Sequence, residues 1–475
     1  MWAALSYCWG KRRTLTTTIA SISERKAGFA LDAVPKTCRD AILVARALSI
    51  PYIWIDSLCI IQDSSDDWEK EAARMCYTYE NAIVTFAALD SPSSDTGLFL
   101  SDPYRRTVKL DARINGQAAV VYARRQNNVG ILGFMHGHSQ DSIRLSKESE
   151  ILETRGWTLQ EILLFPRVLW FSSSELGWSC WSNTACECDP KQTSELINNN
   201  TEYIKISSSP SLNKTDVTDL LATWRTLVNS YTKRSLTVQT DRLAAISGLA
   251  SALRTHLNSS YLAGLWEFDL AKELLWASSW SAFGSNFSLS SIEDGYAPSW
   301  SWASVSGAVR FVPEAQRPRF HLVWQVHSVR FQRLGLDPFG RGEGSITIEG
   351  NLLPLRWASE TLVWFSPADN EDCIEPVIFC ADQEILMDPR AGNRDRRAMA
   401  QKRLFFLVAG LLMPNLKSVK PNFPLLCNGL LLEALPGERT FARVGFAESH
   451  FHKLELKEEW PVWETRCARM KIELV

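Results

Sequence analysis

The 475-residue sequence has no excess of charge of either sign. It holds 51 Lys and Arg against 53 Asp and Glu, and the basic residues do not gather into one long run. A groove for nucleic acid or a patch for an anionic membrane surface requires such an excess. The balance therefore argues against both as the main function, and we expect no nucleic acid among the partners.

Long hydrophobic runs are also lacking. The longest run, at residues 404–413, is about half the length that crosses a bilayer as a helix, and we predict no membrane span. The sequence does not open with a positively charged region, an apolar core and a cleavage site. We therefore expect no secretion and a cytoplasmic location.

The cysteines lack the regular spacing of a disulfide framework. Their number, eleven, is odd, and this usage favours reduced thiols in a cytosol. Cys180, Cys186 and Cys188 form a cluster, but the paired Cys-x-x-Cys form and an obvious fourth ligand are missing. Buried thiols and zinc ligation are both compatible with this cluster, the missing ligand favours thiols, and we predict no metal.

Tryptophan, in contrast, is abundant. The 19 tryptophans are spread over the whole chain, and some form close pairs such as Trp300 with Trp302. Each indole buries a large apolar area and leaves one donor to satisfy. We interpret most of them as core and interface residues, with carbohydrate binding as the alternative.

The first ninety residues alternate between strand and helix patterns. Apolar runs of strand length cover residues 2–7, 52–55 and 82–88, and helical spacing follows Pro35 and Asp66. Unbroken apolar strands joined by helices predict a parallel sheet that is covered on both faces. For the second helix we predict a capping box between Asp66 and Glu69.

The predicted secondary structure changes twice along the rest of the chain. After a predicted hairpin around Asn115-Gly116, a helix is predicted at 158–165 and a strand at 168–171. A polar linker at 191–215 precedes helical patterns up to residue 276, with Gly248 as a close-packing point. Short strands follow from residue 298. We predict an α/β domain at 1–190, a linker and helical connector at 191–285 and a β-rich domain at 286–475.

Three blocks of the sequence resemble a known family. They are ALSYCWG at 4–10, YIWIDSLCIIQDSSDDWEKEAARM at 52–75 and RGWTLQEILLFPRVLWF at 155–171. In this order they resemble the heterokaryon incompatibility (HET) domain of filamentous fungi. Later segments, among them YLAGLWEFDLAKELLW and APSWSWASVSG, are similar to the downstream part of long HET-domain proteins.

The resemblance implies a role in non-self recognition between fungal strains, ending in regulated cell death, with protein partners and self-association. Because HET domains are remotely similar to Toll/interleukin-receptor (TIR) domains, it also implies a flavodoxin-like, TIR-like topology. RGWTLQEIL is similar to the TIR helix that carries the glutamate of NAD-cleaving members. By this similarity Glu161 is the candidate catalytic residue, NAD is a candidate substrate, and no cofactor is implied.

The predicted topology gives these residues a common position. Ligands of open parallel sheets bind outside the carboxyl ends of the strands, and a carboxylate there can stabilise an oxocarbenium-like ribosyl cation without a metal. Trp9 or Trp157 would stack on a ring of the substrate, and the loop after the first strand would receive phosphates. The candidate binding residues are Ser6, Tyr7, Trp9, Gly10, Asp56 and Trp157.

Structural interpretations of the same residues stay open. Thr158 and Glu161 have capping-box spacing, so Glu161 is equally well explained as a helix cap. Asp56 is equally well explained as a turn residue, and Ser6 and Tyr7 as packing residues. For the whole protein, the alternative to an enzyme is a non-enzymatic signalling scaffold that oligomerises.

Overall fold

The protein is described here by a computed structural model. It describes residues 1–11, 15–100, 108–114, 116–123, 151–173, 176–180, 184–187, 216–278, 292, 295–312, 320–357, 365–367, 377–381, 403–412, 425–437, 439–451 and 468–475. The predicted linker at 191–215 lies outside these residues. The chain forms two units, and the first comprises Met1–Asp216 with two later segments, Arg234–Leu236 and Ala244–His256.

The first unit opens with a parallel α/β sheet. Its elements up to residue 186 are β1 (Ala3–Ser6), α1 (Ile22–Ala27), α2 (Lys36–Ala47), β2 (Ile53–Trp54), α3 (Asp56–Cys59), α4 (Ser65–Glu80), β3 (Val84–Ala88), β4 (Val108–Ile114), β5 (Gln117–Ala123), α5 (Thr158–Leu163), β6 (Arg167–Phe171), β7 (Leu176–Cys180) and β8 (Thr184–Cys186). Six of these strands form one sheet in the order β2-β1-β3-β6-β7-β8. The first four are parallel, and β7 and β8 continue the sheet antiparallel. The predicted parallel sheet is confirmed.

Alternation along β1 explains why both faces of this sheet are covered. Ala3 and Leu5 point into a buried cluster with α2, whereas Ala4 points into a second cluster with α4. All four residues of β1 and all five of β3 are buried. Successive strand residues face opposite sides, so unbroken apolar strands require helices on both sides.

One local prediction in this unit is wrong. The first turn of α4 is capped by Ser64, whose Oγ accepts from the backbone N–H of Asp67, and not by Asp66. Asp56 begins α3, a single helical turn. Serine is as good an N-cap as aspartate, and the run of Ser and Asp at 63–67 offers several registers. The predicted hairpin is confirmed by the pairing of β4 with β5.

The next two helices after residue 216 belong to different units. Helix α6 (Val217–Tyr231) belongs to the second unit, and α7 (Ala244–Leu257) lies almost wholly in the first. Among the described residues, no helix combines the length and the apolar character that crossing a bilayer requires.

The second unit is rich in β-structure. After α6 its elements are β9 (Tyr261–Leu262), β10 (Leu265–Trp266), α8 (Leu270–Glu273), β11 (Trp276–Ser278), β12 (Val309–Phe311), β13 (Phe320–Leu322), β14 (Gln325–Arg333), β15 (Gly342–Trp357), β16 (Phe365–Pro367), β17 (Val377–Ala381), β18 (Leu404–Leu412), β19 (Leu425–Ala434), β20 (Thr440–Phe451) and β21 (Ala468–Leu474). The last nine form one sheet. Because β15 pairs with both β18 and β21, this sheet closes on itself like a barrel. The predicted β-rich region is confirmed.

In this unit one predicted helical segment and one predicted strand fold differently, and tryptophan packing explains both differences. Residues 261–266 form the hairpin β9-β10, and Trp302 lies in a 3-10 turn instead of the expected strand. The indole N–H groups of Trp224 and Trp302 both donate to the carbonyl of Gly264, at 3.0 and 2.9 Å. Gly264 has a positive φ of 101°, which glycine adopts without strain. Trp300 and Trp302 are fully buried, which confirms their prediction as core residues.

Candidate functional site

Three segments of the chain meet where the parallel strands of the first unit end. Strand β1 lies between β2 and β3, so the connections leave the sheet in opposite directions on its two sides. Such a reversal opens a crevice at the carboxyl ends of the strands. Ser6 ends β1, Asp56 follows β2 after one residue, and Leu89 follows β3. Side chains at these positions therefore face one edge of the sheet.

The closest contact at this edge joins Ser6 to Glu161. The Oγ of Ser6 donates a hydrogen bond to Oε2 of Glu161, the fourth residue of α5. Both side chains are buried, with exposed fractions of 1% for Ser6 and 5% for Glu161. The sequence separation of 155 residues means that the fold, and no local turn, produces this pair.

Burial raises the pKa of Glu161 to about 7. The hydrogen bond from Ser6 and the positive charge of Arg155 lower this pKa, whereas the nearby Asp56 carboxylate raises it. Taking the carboxylate out of water disfavours its charged form, and here this effect is the largest. Glu161 is therefore close to half protonated at neutral pH, the condition in which a carboxyl group serves best as general acid or base.

Asp56 forms the second acidic position. Its Oδ2 accepts a hydrogen bond of 2.9 Å from the indole Nε1 of Trp9. Its Oδ1 accepts from the backbone N–H of Ser57 at 2.6 Å. The Tyr7 hydroxyl donates to Oγ of Ser57 at 2.9 Å, so the loop after β1 is joined to helix α3 twice. Burial raises the pKa of Asp56, and the hydrogen bond from Trp9 lowers it.

Arg155 supplies the positive charge of the site, and the sequence analysis missed it. Its Nη1 donates to the backbone carbonyl of Tyr7 at 2.6 Å. Its charge lowers the pKa of Glu161, of Asp56 and of the buried Cys8 thiol. A signal was available, since Arg155 opens the third block of the family resemblance, RGWTLQEIL.

The capping-box alternative for Glu161 does not describe the observed geometry. Trp157 occupies the N-cap of α5, and no side chain caps this end. Thr158 donates its hydroxyl backwards to the carbonyls of Leu152 and Arg155, at 2.7 and 2.8 Å. Glu161 is therefore available to Ser6, and a helix cap does not explain its position.

Residues 2–161 match the family described as heterokaryon incompatibility protein (HET). The chain contains a HET domain. No curated protein and no solved structure matches the chain. The match includes every residue of the cluster described above, and it ends at Glu161.

The HET domain is completed by a segment from beyond the matched residues. Ser235 accepts from the backbone N–H of Gly156 at 2.8 Å and donates its own N–H to the carbonyl of Thr154 at 2.7 Å. Arg234 adds a bond from Nη1 to the Thr158 hydroxyl at 3.2 Å. This strap, Arg234–Leu236, holds the residues that carry Arg155 and lead into α5. Its sequence offers no local signal of this long-range pairing.

Two predicted binding residues of the HET domain lie at the margin of the cluster. Gly10 is exposed with a φ of 81°, and a Cβ there would meet Cβ of Ser93 at 2.4 Å. Trp157 packs edge-on against Trp68 of α4, with ring centroids 6.4 Å apart. Trp157 belongs to the cluster on the α4 face, whereas Trp9 packs with the cluster on the α2 face.

The structure thus brings Ser6, Tyr7, Trp9, Asp56 and Glu161 to one edge of the HET domain. This arrangement offers a protonatable carboxyl group, a second acid and a guanidinium, which together can transfer a proton and stabilise developing charge. Within the described residues, no three His, Cys, Asp or Glu side chains gather as metal ligands. The side chains of Cys186 and Cys188 lie outside those residues.

Proposed function

We propose that this HET-domain protein is an effector of fungal non-self recognition and regulated cell death, and that its HET domain cleaves NAD. The observation that carries the proposal is Glu161, held by Ser6 at the end of β1 with a pKa of about 7. A heterokaryon incompatibility-type function follows from the HET family match itself. Fungal cell death, the cytoplasmic location and the enzymatic step belong to the proposal.

The order of the parallel strands supports a TIR-like, flavodoxin-like topology. The first four strands of the sheet are ordered β2-β1-β3-β6, which is the order 2-1-3-4 of flavodoxin-like folds. These folds bind nucleotide ligands at the switch point between the first and third strands. Ser6 and Glu161 lie at this switch point, since Ser6 ends β1 beside Ala87 of β3.

The proposed reaction breaks the bond between the nicotinamide nitrogen and C1′ of the ribose. The electron pair of this bond leaves with nicotinamide, and positive charge develops on the ribosyl ring. The Glu161 carboxylate stabilises this charge, and Asp56 adds a second negative charge to the edge. A water then attacks C1′ and gives its proton to Glu161, whose pKa of about 7 suits this role.

Access to Glu161 requires a conformational change. Ser6 and Glu161 are 1% and 5% exposed, so a dinucleotide must displace the loop after β1 to reach the carboxylate. We propose that the described conformation is the resting one and that self-association opens it. Enzymes commonly complete their sites only on such a change.

The burial of Glu161 also favours a second candidate function. The buried bond between Ser6 and Glu161 fixes α5 on β1 whether or not a substrate reaches it. If no substrate reaches it, the HET domain is a non-enzymatic scaffold that oligomerises with its protein partners. The two candidates differ in whether cell death depends on NAD loss and on Glu161.

Inducible expression of the full chain in yeast separates the two candidates. NAD content and viability are followed together for the wild type, Glu161→Gln and Glu80→Gln. Glu80 is a matched control because burial raises its pKa as well, whereas it lies at the end of α4. We expect Glu161→Gln to slow NAD loss by at least about 100-fold, and Glu80→Gln to leave it unchanged.

Thermal unfolding of both variants shows whether Glu161→Gln still folds. Death without NAD loss would leave the scaffold as the function. NAD loss that persists in folded Glu161→Gln would remove Glu161 from the mechanism.

A further inference from the structure

A second groove of the first unit shares no residue with the Glu161 cluster. It has a volume of about 290 Å³ and runs along the outer edge of the sheet, between β2 and α4. Its walls are Trp2, Tyr52, Trp54 and Tyr77, together with Glu71 and Arg74. The volume lies at the lower end of the roughly 300–1,000 Å³ of small-molecule pockets, which suits a compact ligand.

Four of the residues that line this groove are aromatic. The indole N–H of Trp2 donates to the carbonyl of Thr78 at 3.0 Å, and Trp54 packs edge-to-face on the buried Tyr79 at 5.2 Å. Tyr52 and Tyr77 are 70% and 57% exposed, unusually high for aromatic residues. Aromatic faces carry negative electrostatic potential, and several around one site bind methylated ammonium groups.

The charged residues of the groove have opposite signs. Oε1 of Glu71 and Nη1 of Arg74 are 4.0 Å apart on successive positions of one α4 face, and their side chains are 21% and 57% exposed. Such an exposed pair contributes little to stability, so a ligand separates it at small cost. A simple cation would be repelled by Arg74, and a simple anion by Glu71 and the aromatic faces.

We propose that this groove binds a zwitterion of the phosphocholine type. The methylated ammonium lies against the aromatic rings and Glu71, and the phosphate lies on Arg74. Such a ligand offers an opposite charge to both Glu71 and Arg74. A site of this kind does not need a basic patch, and the chain has 51 positive against 53 negative side chains.

Calorimetric titration of the full chain tests the proposal with phosphocholine and its two halves, choline and inorganic phosphate. We expect phosphocholine to bind at least about tenfold more tightly than either half, because only the whole ligand meets both charges. Equal affinity for phosphocholine and choline would overturn the proposal. Absence of phosphocholine binding at about 10 mM would overturn it as well.

Four variants locate the site. Tyr77→Ala removes an exposed ring and should weaken phosphocholine binding about fivefold to tenfold. Phe268→Ala is its control, since Phe268 is 63% exposed and does not line the groove. Arg74→Gln should reduce phosphocholine affinity to that of choline without weakening choline, whereas Lys70→Gln on the same helix should change neither. Unchanged binding in Tyr77→Ala and Arg74→Gln would overturn the assignment.

Co-sedimentation with vesicles distinguishes the two sources of this ligand. Binding to phosphatidylcholine vesicles and not to phosphatidylglycerol vesicles would identify a lipid headgroup. Binding of free phosphocholine alone would identify a soluble ligand, and either result supports the groove. Vesicle binding that is indifferent to headgroup and to Arg74→Gln would contradict it.

Discussion

Glu161 binds its proton more tightly in the folded chain than in the unfolded chain, and this makes stability depend on pH. Its pKa is about 7 when folded, against an ordinary value of 4.5. Below pH 4.5 both states are protonated, and the favourable contribution of the neutral group is fully present. As the pH rises towards 7 the unfolded chain loses its proton first, so the folded state loses up to about 3 kcal/mol of stability.

Denaturant unfolding at a series of pH values measures this effect. We expect the free energy of unfolding of the wild type to fall between about pH 4.5 and 7.5 relative to that of Glu161→Gln. The difference between the two proteins isolates Glu161, because Glu273 of the second unit also has a pKa raised by burial to about 7. Parallel curves would show that Glu161 is not the titrating group.

At the residue scale, the sequence predicts which residues lie at the strand ends, but it does not predict how α5 packs against them. Ser6 and Asp56 each follow an apolar strand, so their convergence is a consequence of parallel topology. Arg155 and the Ser6–Glu161 bond depend on how α5 is rotated on β1, which no periodicity encodes. The pKa of Glu161 depends on burial, and burial is a property of the whole fold.

At the scale of elements, Gly248 sets how closely α7 approaches two helices of the HET domain. Its N–H donates to Oε1 of Gln160 at 3.2 Å, and its carbonyl receives the Cys76 thiol at 3.8 Å. A Cβ at this position would lie 2.8 Å from Cβ of Cys76 and 2.9 Å from Cδ1 of Leu164. These contacts place α7 against both α4 and α5, next to Glu161.

Gly248→Ala should therefore destabilise the protein although alanine favours helix. Helix propensity contributes about 1 kcal/mol in favour of alanine, whereas overpacking of a dense interface costs about 1–3 kcal/mol. We expect a net loss of about 1 kcal/mol in denaturant unfolding. Thr255→Ala on the exposed side of α7 is the control and should be neutral or slightly stabilising. A stabilised Gly248→Ala would show that α7 shifts freely.

The type of an element was predictable where its pattern of buried residues is regular. Strands β1 and β3 are apolar throughout because both faces of the sheet are covered. The exceptions have physical causes of their own. Trp302 lies in a turn because its indole bonds to Gly264, and α4 begins at the serine that best satisfies its first N–H groups.

At the scale of the whole molecule, the HET domain depends on chain that follows the matched region. The strap Arg234–Leu236 and helix α7 both belong to the first unit, although residues 2–161 carry the family match. The predicted boundaries after residues 190 and 285 were drawn where the sequence pattern changes. They do not predict that the strap and α7 join the first unit. Local patterns cannot reveal it, because the bonds of Ser235 are made by its backbone.

Two substitutions of Ser235 test this dependence. Ser235→Pro removes the N–H that donates to Thr154, and we expect it to cost about 1–3 kcal/mol. Ser235→Ala keeps both backbone bonds and should be neutral. Hydrogen exchange at residues 151–165 measures the difference, and the Gly156 amide should exchange at least about tenfold faster in the proline variant. Equal exchange in the two variants would mean that the strap does not support α5.

The returning strap also bears on synthesis of the protein. A ribosome releases the chain from its N-terminus at about 5–20 residues per second. The first 161 residues emerge without the partners of Gly156 and Gln160, which reside at 235 and 248. A nascent chain therefore carries the Ser6–Glu161 edge unfinished for several seconds. If translation pauses or stops before residue 256, chaperones and proteases can bind this incompletely folded intermediate.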